Sequence, residues 1–129
     1  MVLINFLKQM IKDALKDVPE NFSGDLEASK IQVWMNNGKI HREGDMPAVI
    51  FLNFERRITI VMYYENGKIH RKNGPAIFSP ATVNDPFDNS NLWCINDKIM
   101  TKTEHTSFCS VNEYLCDDVS FIIANYASD

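Results

Sequence analysis

The sequence lacks the motifs that most directly indicate catalysis or metal binding. It has three cysteines but no C-x-x-C pair, and its histidines, at positions 41, 70 and 105, are not at zinc-ligand spacing. It also lacks a P-loop, a dinucleotide-binding glycine motif and a recognisable Ser-His-Asp set. We therefore expect no metal, no cofactor and no catalytic residue, and we expect the cysteines to pack as small apolar groups.

Long hydrophobic runs are missing as well. No stretch reaches the ~20 apolar residues that span a bilayer. The apolar N-terminal segment has neither the basic start nor the small-residue cleavage site of a signal peptide. An odd number of cysteines without a secretion signal is typical of a reducing cytosol. We therefore expect a cytoplasmic protein that does not enter a membrane.

Lysine and arginine are absent from residues 103–129, which contain five acids, whereas residues 30–78 contain eight Lys or Arg and four acids. The net charge of −4 hides this difference. Such asymmetry can mark two surfaces with different partners, or two ends of one fold that attract each other. Length and composition, 129 residues with 45% hydrophobic and 23% charged, indicate one globular domain over 1–129.

Hydrophobic periodicity predicts a helix at the N-terminal end. Apolar residues recur every three or four positions, and Pro19 disfavours continuation of the helix, so we assign the helix to 1–19. Residues 20–29 contain Ser, Gly and Asp and are predicted to form a loop.

A second helix is predicted at the other end. Ser110 and Glu113 form an S-x-x-E capping box, which predicts a helix over 110–127. Residues 92–108 have strand-like character, and residues 79–91, with two prolines and several Asn and Asp, predict a long loop.

Two Asn-Gly pairs divide the middle of the chain, at 37–38 and 66–67. Asn-Gly between β-type segments is the strongest short-range sign of a hairpin, because a type I′ turn needs positive φ at both central residues. We therefore predict an α+β fold: an antiparallel meander of repeated β-hairpins, about five to seven strands within 30–108, flanked by the two helices.

The hairpins form an internal repeat. Residues 33–50 and 62–78 align on their Asn-Gly pairs with an offset of 29 residues, and a degenerate copy at 92–100 has lost the Gly, His and Arg. The first copy has one extra residue before its proline, within Glu43-Gly44-Asp45-Met46. A period of this size indicates a repeated supersecondary unit.

The shared pattern, W/Y-x-x-N-G-K-x-H-R-x-x-G-P-A, resembles a short repeat of many small bacteriophage proteins and of some bacterial and giant-virus proteins. It is also similar to MORN-type hairpin repeats. The resemblance covers about a third of the chain. It implies an array of β-hairpins and a phage or bacterial source, and it implies no particular activity.

Two-residue turns fix which side chains share a face of the sheet. One face carries Met35 with Ile40, Tyr64 with Ile69 and Cys94 with Ile99, and we expect it to receive the helices. The other face carries the aromatic–histidine stripe, which comprises Trp34, His41, Tyr63, His70, Trp93 and Met100.

The candidate binding residues lie in this stripe and among the basic residues beside it. They are Trp34, His41, Arg42, Arg56, Arg57, Tyr63, His70, Arg71 and Trp93. In a functional interpretation, the His and Arg residues hold a ligand. In a structural interpretation, each imidazole stacks on its aromatic neighbour and hydrogen-bonds the backbone of the next copy. The structural interpretation is favoured, because both copies keep the histidine and a catalytic site usually needs only one.

Three functions are compatible with these patterns. The first is a non-catalytic phage-type module that binds a host protein; inhibition of a bacterial defence complex, such as a CRISPR effector, is an expectation drawn from the resemblance. The second is a nucleotide- or phosphate-binding protein, or a small enzyme, that uses the His and Arg residues together with His105. The third, least favoured, is nucleic-acid binding by the basic middle, which the acidic end would oppose. Oligomeric state is left open.

Overall fold

A computed structural model of the chain describes residues 2–82 and 91–114. The helices are α1 (Val2–Ala14) and α2 (Lys102–Tyr114). The strands are β1 (Gly24–Ala28), β2 (Ile31–Asn36), β3 (Lys39–Ile40), β4 (Val49–Leu52), β5 (Ile58–Met62), β6 (Tyr64–Glu65), β7 (Lys68–Ile69), β8 (Ile77–Phe78), β9 (Trp93–Ile95) and β10 (Lys98–Met100). The predicted α+β fold, with an antiparallel sheet between two helices, is confirmed.

The main sheet is a meander whose strand order is β1-β2-β4-β5-β8, with every pair antiparallel. The short strands lie beside the hairpin turns, and only one of them joins the main sheet. β3 pairs with the end of β2, whereas β6 with β7 and β9 with β10 form separate two-stranded ladders. An isolated bridge between Ile77 and Leu92 connects β8 to the segment that enters the last hairpin.

The core lies between α1 and the sheet. Ile4, Leu7 and Ile11 are buried along one face of α1, at the spacing expected of an amphipathic helix. In β4 three successive residues, Val49 to Phe51, are buried. The continuous apolar run from Ala48 to Phe54 predicts a strand covered on both faces, and this holds as far as Phe51, whereas Phe54 lies in the turn after β4 and is 90% exposed.

The N-terminal prediction needs two corrections. The helix ends at Ala14 rather than at 19. Leu15 still donates its N–H to the Ile11 carbonyl at 3.0 Å, but the chain then makes a tight turn in which the Val18 N–H donates to the Leu15 carbonyl at 3.0 Å. The predicted loop at 20–29 contains β1, which pairs with β2. Cross-strand pairing overrides the polar composition of this segment.

The C-terminal helix also begins earlier than predicted. It starts at Lys102, where Thr101 Oγ1 accepts the Glu104 N–H and Glu104 Oε1 accepts the Thr101 N–H, both at 3.1 Å. This is a reciprocal capping box. Ser110 therefore lies inside the helix, and residues 101–108 are not strand. The predicted helix beyond 114 and most of the predicted loop at 79–91 lie outside the described residues.

Within residues 2–82 and 91–114, neither helix has the length and apolar character needed to cross a membrane.

Candidate functional site: the junctions between hairpin copies

The three hairpin turns share one backbone shape. Asn37 and Gly38 have φ of 51° and 82°, and Asn66 and Gly67 have 52° and 85°. The degenerate third turn at 96–97 keeps the shape with 48° and 70°. The predicted type I′ turns are confirmed, as are the pairings on either side of them, such as Met35 with Ile40, Tyr64 with Ile69, and Cys94 with Ile99.

Each turn docks on the chain segment that precedes its own hairpin copy. The second residue of the turn donates its N–H to a backbone carbonyl there. Gly67 donates to Ile40 at 2.9 Å, and Asp97 donates to Ile69 at 2.8 Å. Gly38, which has no earlier copy to contact, donates to Phe22 at 2.8 Å. The copies are therefore stacked by main-chain hydrogen bonds.

The histidines make the second contact at these junctions. His41 Nδ1 accepts the N–H of Asn66, and His70 Nδ1 accepts the N–H of Asn96, each at 3.1 Å. At the first turn Ser23 Oγ accepts the N–H of Asn37 at 2.7 Å. The hydrogen bond to the next copy, which the structural interpretation predicts, is therefore present at both histidines.

These hydrogen bonds define the tautomer of each imidazole. Since Nδ1 accepts, the ring proton is on Nε2. His41 Nε2 lies 2.7 Å from Glu43 Oε1, and His70 Nε2 lies 3.4 Å from Glu65 Oε2. Burial lowers the pKa of His70, and the Glu65 carboxylate opposes that shift in part. The neutral imidazole is thus the form that fits the junction.

The predicted stacking of each histidine on its aromatic neighbour is wrong for the described residues, because arginine occupies the face of each of these rings instead. The guanidinium of Arg42 lies 3.8 Å from the ring centroid of Trp34, and that of Arg71 lies 3.9 Å from Tyr63. Each guanidinium also donates to the carbonyl of the proline ahead in its own copy, at 3.0 Å in the first and 3.2 Å in the second. Arginine therefore holds the return segment of its copy against the aromatic ring.

The extra residue of the first copy joins it to the second. Asp45 has φ of 53° and accepts from Arg71 Nε at 3.1 Å. The departure from the repeat pattern at Glu43-Gly44-Asp45-Met46 therefore supplies an ion pair between copies.

A cavity of about 210 Å³ lies between the first and second copies. Five of the nine candidate residues line it: His41, Arg42, Tyr63, His70 and Arg71. The carboxylate-bearing residues Glu43, Asp45 and Glu65 line it too. Trp34 lies under Arg42 and does not itself line the cavity.

Trp93 contacts α2 rather than this cavity. Its ring centroid lies 5.0 Å from that of His105, which is 2% exposed and whose Nε2 donates to the Arg71 carbonyl. The expectation that one face receives both helices is therefore wrong for α2. The position follows from connectivity, because α2 begins immediately after β10. By contrast, α1 borders Ile40 and Tyr64 on the expected face.

Arg56 and Arg57 lie apart from the stripe, in the turn between β4 and β5. Arg56 pairs with Glu27 of β1, and Arg57 Nε lies 3.5 Å from Glu55 Oε2. The same turn displays Phe54, which is 90% exposed. An aromatic residue inside an otherwise polar turn is the sequence sign that could have identified it.

No protein-family model matches this chain, and neither the curated proteins nor the solved structures provide a match. Within residues 2–82 and 91–114, no three His, Cys, Asp or Glu side chains come together as metal ligands would.

Proposed function

We propose that the chain is a non-catalytic interaction module of bacteriophage type, which acts in the bacterial cytoplasm by binding and inhibiting a host protein such as a CRISPR defence complex. The phage source rests on the resemblance of the repeat. The observation that carries the non-catalytic part is that both repeat histidines and both repeat arginines are already bound to other parts of the chain.

A histidine that acts as a catalytic base needs a free ring nitrogen within reach of the proton that it removes. His41 Nδ1 is occupied by a backbone N–H, and its Nε2 faces a carboxylate oxygen at 2.7 Å. His70 has the same arrangement with Asn96 and Glu65. Arg42 and Arg71 are stacked and donate to proline carbonyls. These contacts favour a scaffold role.

The alternatives receive less support from the charges. Glu43, Asp45 and Glu65 line the same cavity as the arginines and would repel a phosphate. Two arginines of the basic middle, Arg56 and Arg57, are each paired with a glutamate. An anionic ligand would have to displace these carboxylates.

Affinity capture tests the proposal. The tagged chain, incubated with lysate of a host bacterium, should retain a partner that saturates and that untagged chain displaces. Adding purified chain to a reconstituted defence reaction should then reduce its activity in proportion to complex formed. Absence of a saturable partner would reject the proposal.

Ligand screening by thermal unfolding separates the alternative. ATP or inorganic phosphate in large excess should leave the melting temperature unchanged, because a ligand that binds the folded state must raise it. A saturable rise would instead favour the phosphate-binding function.

A further inference from the structure

We propose that the β4–β5 turn is the anchor by which the chain holds its protein partner, with Phe54 inserted into an apolar pocket whose rim is acidic. This inference rests on the proposed function and assigns it a surface and a partner chemistry. The turn comprises residues 53–57, and its neighbours Lys30 and Ile58 complete the surface, which we name the Phe54 tip.

The Phe54 tip is held in one conformation by its own hydrogen bonds. Asn53 Oδ1 accepts the N–H of Glu55 at 2.9 Å and that of Arg57 at 3.0 Å. A backbone hydrogen bond also joins the two ends of the turn, since the Asn53 N–H donates to the Arg57 carbonyl at 2.9 Å. A loop that is already ordered loses little entropy on binding, which favours affinity.

Contacts with β1 and with the turn between β1 and β2 also hold the tip in place. Arg56, at φ of 64°, donates to the Glu27 carboxylate of β1. A bulky residue in the left-handed region is strained, and such strain persists where the surrounding structure imposes it. The Leu52 N–H donates to the Lys30 carbonyl at 2.8 Å, which ties the two turns together.

The tip displays apolar area that the fold does not use. Phe54 is 90% exposed, and Ile58, four residues further along the chain, is 46% exposed. Energetic hot spots of protein interfaces are commonly aromatic or arginine side chains seated in a partner pocket. The tip also lies at the opposite end of β2 from the Asn37 turn, away from the junctions between copies.

The charge around the ring indicates the chemistry of the pocket. Lys30 Nζ lies 3.9 Å from the centroid of the Phe54 ring, and two arginines belong to the same turn. Glu55 and Glu27 pair with those arginines, so Lys30 leaves the tip with a net positive charge. A pocket with carboxylates on its rim would gain Lys30 and would be attracted at long range.

Two phenylalanine variants test the assignment in the capture experiment. F54A should lower the affinity for the captured partner by at least about tenfold, as expected for a hot spot. F6A is the matched control, because Phe6 is also well exposed, at 60%, but lies on α1. Its affinity should stay within about twofold of wild type, and both variants should show wild-type thermal unfolding.

Photocrosslinking identifies the pocket. With p-benzoylphenylalanine in place of Phe54, the chain should crosslink to the same partner. Unlabelled wild type should compete, and F54A should need an about tenfold or higher concentration to compete equally. The crosslinked peptide should lie beside apolar residues and carboxylates, and binding should weaken as salt is raised.

The outcomes separate the two proposals. Saturable capture that F54A does not weaken, or a crosslink to a site without carboxylates, overturns the Phe54 anchor and leaves the proposed function standing. Failure of wild type to capture a saturable partner overturns the proposed function and the anchor with it.

Discussion

The two histidine junctions differ from the third hairpin in the element that comes next along the chain. After the first and second copies another turn is formed, and His41 and His70 accept its Asn N–H. After the third turn the chain continues into α2, and the positions of the His and Arg are taken by Met100 and Thr101. The motif residues are kept where a next turn needs an acceptor and lost where there is no such turn. This pattern identifies the histidine as a connector between copies.

The turn glycines show a parallel difference. A Cβ atom at Gly38 would lie 1.7 Å from the Glu20 carbonyl oxygen, whereas one at Gly67 would first meet the Lys39 side chain at 3.7 Å. The third turn has Asp97 instead, whose Oδ1 accepts the Ile69 N–H at 2.8 Å. Glycine is thus required by close packing at the first turn, whereas at the second it is only favoured by the positive φ, which Asp97 adopts at the third.

The largest effect should come from G38A. The substitution forces main chain away from main chain and adds left-handed strain, so we expect a loss of roughly 3–5 kcal/mol in the free energy of unfolding. G67A carries the strain without the clash and should cost about 1–2 kcal/mol. Urea unfolding of both variants measures the difference. Equal losses would show that Gly38 is not held against the Glu20 backbone.

Removal of a connector should have the next largest effect. H70A removes a ring that is 11% exposed and the hydrogen bond that it accepts from Asn96, an exposed residue whose N–H water can then reach, so we expect a loss of about 2 kcal/mol. S23A removes the matching acceptor at the first turn and should cost about 1 kcal/mol. Urea unfolding again measures both losses. If S23A were the more damaging, the histidine junction would not be the stronger one.

The repeat could be predicted in detail because its determinants are local. Asn-Gly pairs favour positive φ at two adjacent residues, and a two-residue turn then fixes every cross-strand pair beside it. The pairings of Met35 with Ile40 and of Tyr64 with Ile69 could therefore be predicted from the sequence alone. The histidine hydrogen bond could be predicted from its recurrence in both copies.

Features set by contacts between distant segments were missed. β1 lies in a polar segment, and its turn at Ser29-Lys30 reaches positive φ without Gly or Asn. The start of α2 cannot be placed from the sequence, because two capping boxes, at Thr101 and Ser110, compete there and only the structure distinguishes them. The exposure of Phe54 depends on where β4 ends, because the apolar run continues past Leu52 into the turn and the sequence does not mark that boundary.

The repeat arginines, Arg42 in the first copy and Arg71 in the second, differ in how many contacts they make. R71K keeps the charge but loses the fork that reaches both the Pro75 carbonyl and Asp45, so we expect a loss of about 1–2 kcal/mol. R42K loses a stack and one carbonyl contact and should cost about 1 kcal/mol or less. A double-mutant cycle between R71M, which removes the charge, and D45N isolates the ion pair. A coupling of zero would mean that Asp45 does not join the copies.

The smallest expected effect is a dependence of the free energy of unfolding on pH, caused by protonation of His70 at the second junction. The folded state lowers the pKa of His70 from 6.5, mainly through burial, so between the folded and unfolded pKa values the unfolded chain binds more protons. The stability that neutral His70 adds to the fold should be fully present above about pH 6.5. It should be lost as the pH falls through the folded pKa, because a protonated Nδ1 can no longer accept the Asn96 N–H. Free energies of unfolding measured from pH 7.5 to 5 should fall more steeply in wild type than in H70A. If the two slopes were identical, the protonation state of His70 would not be linked to docking of the third turn, and the junction would depend on packing alone.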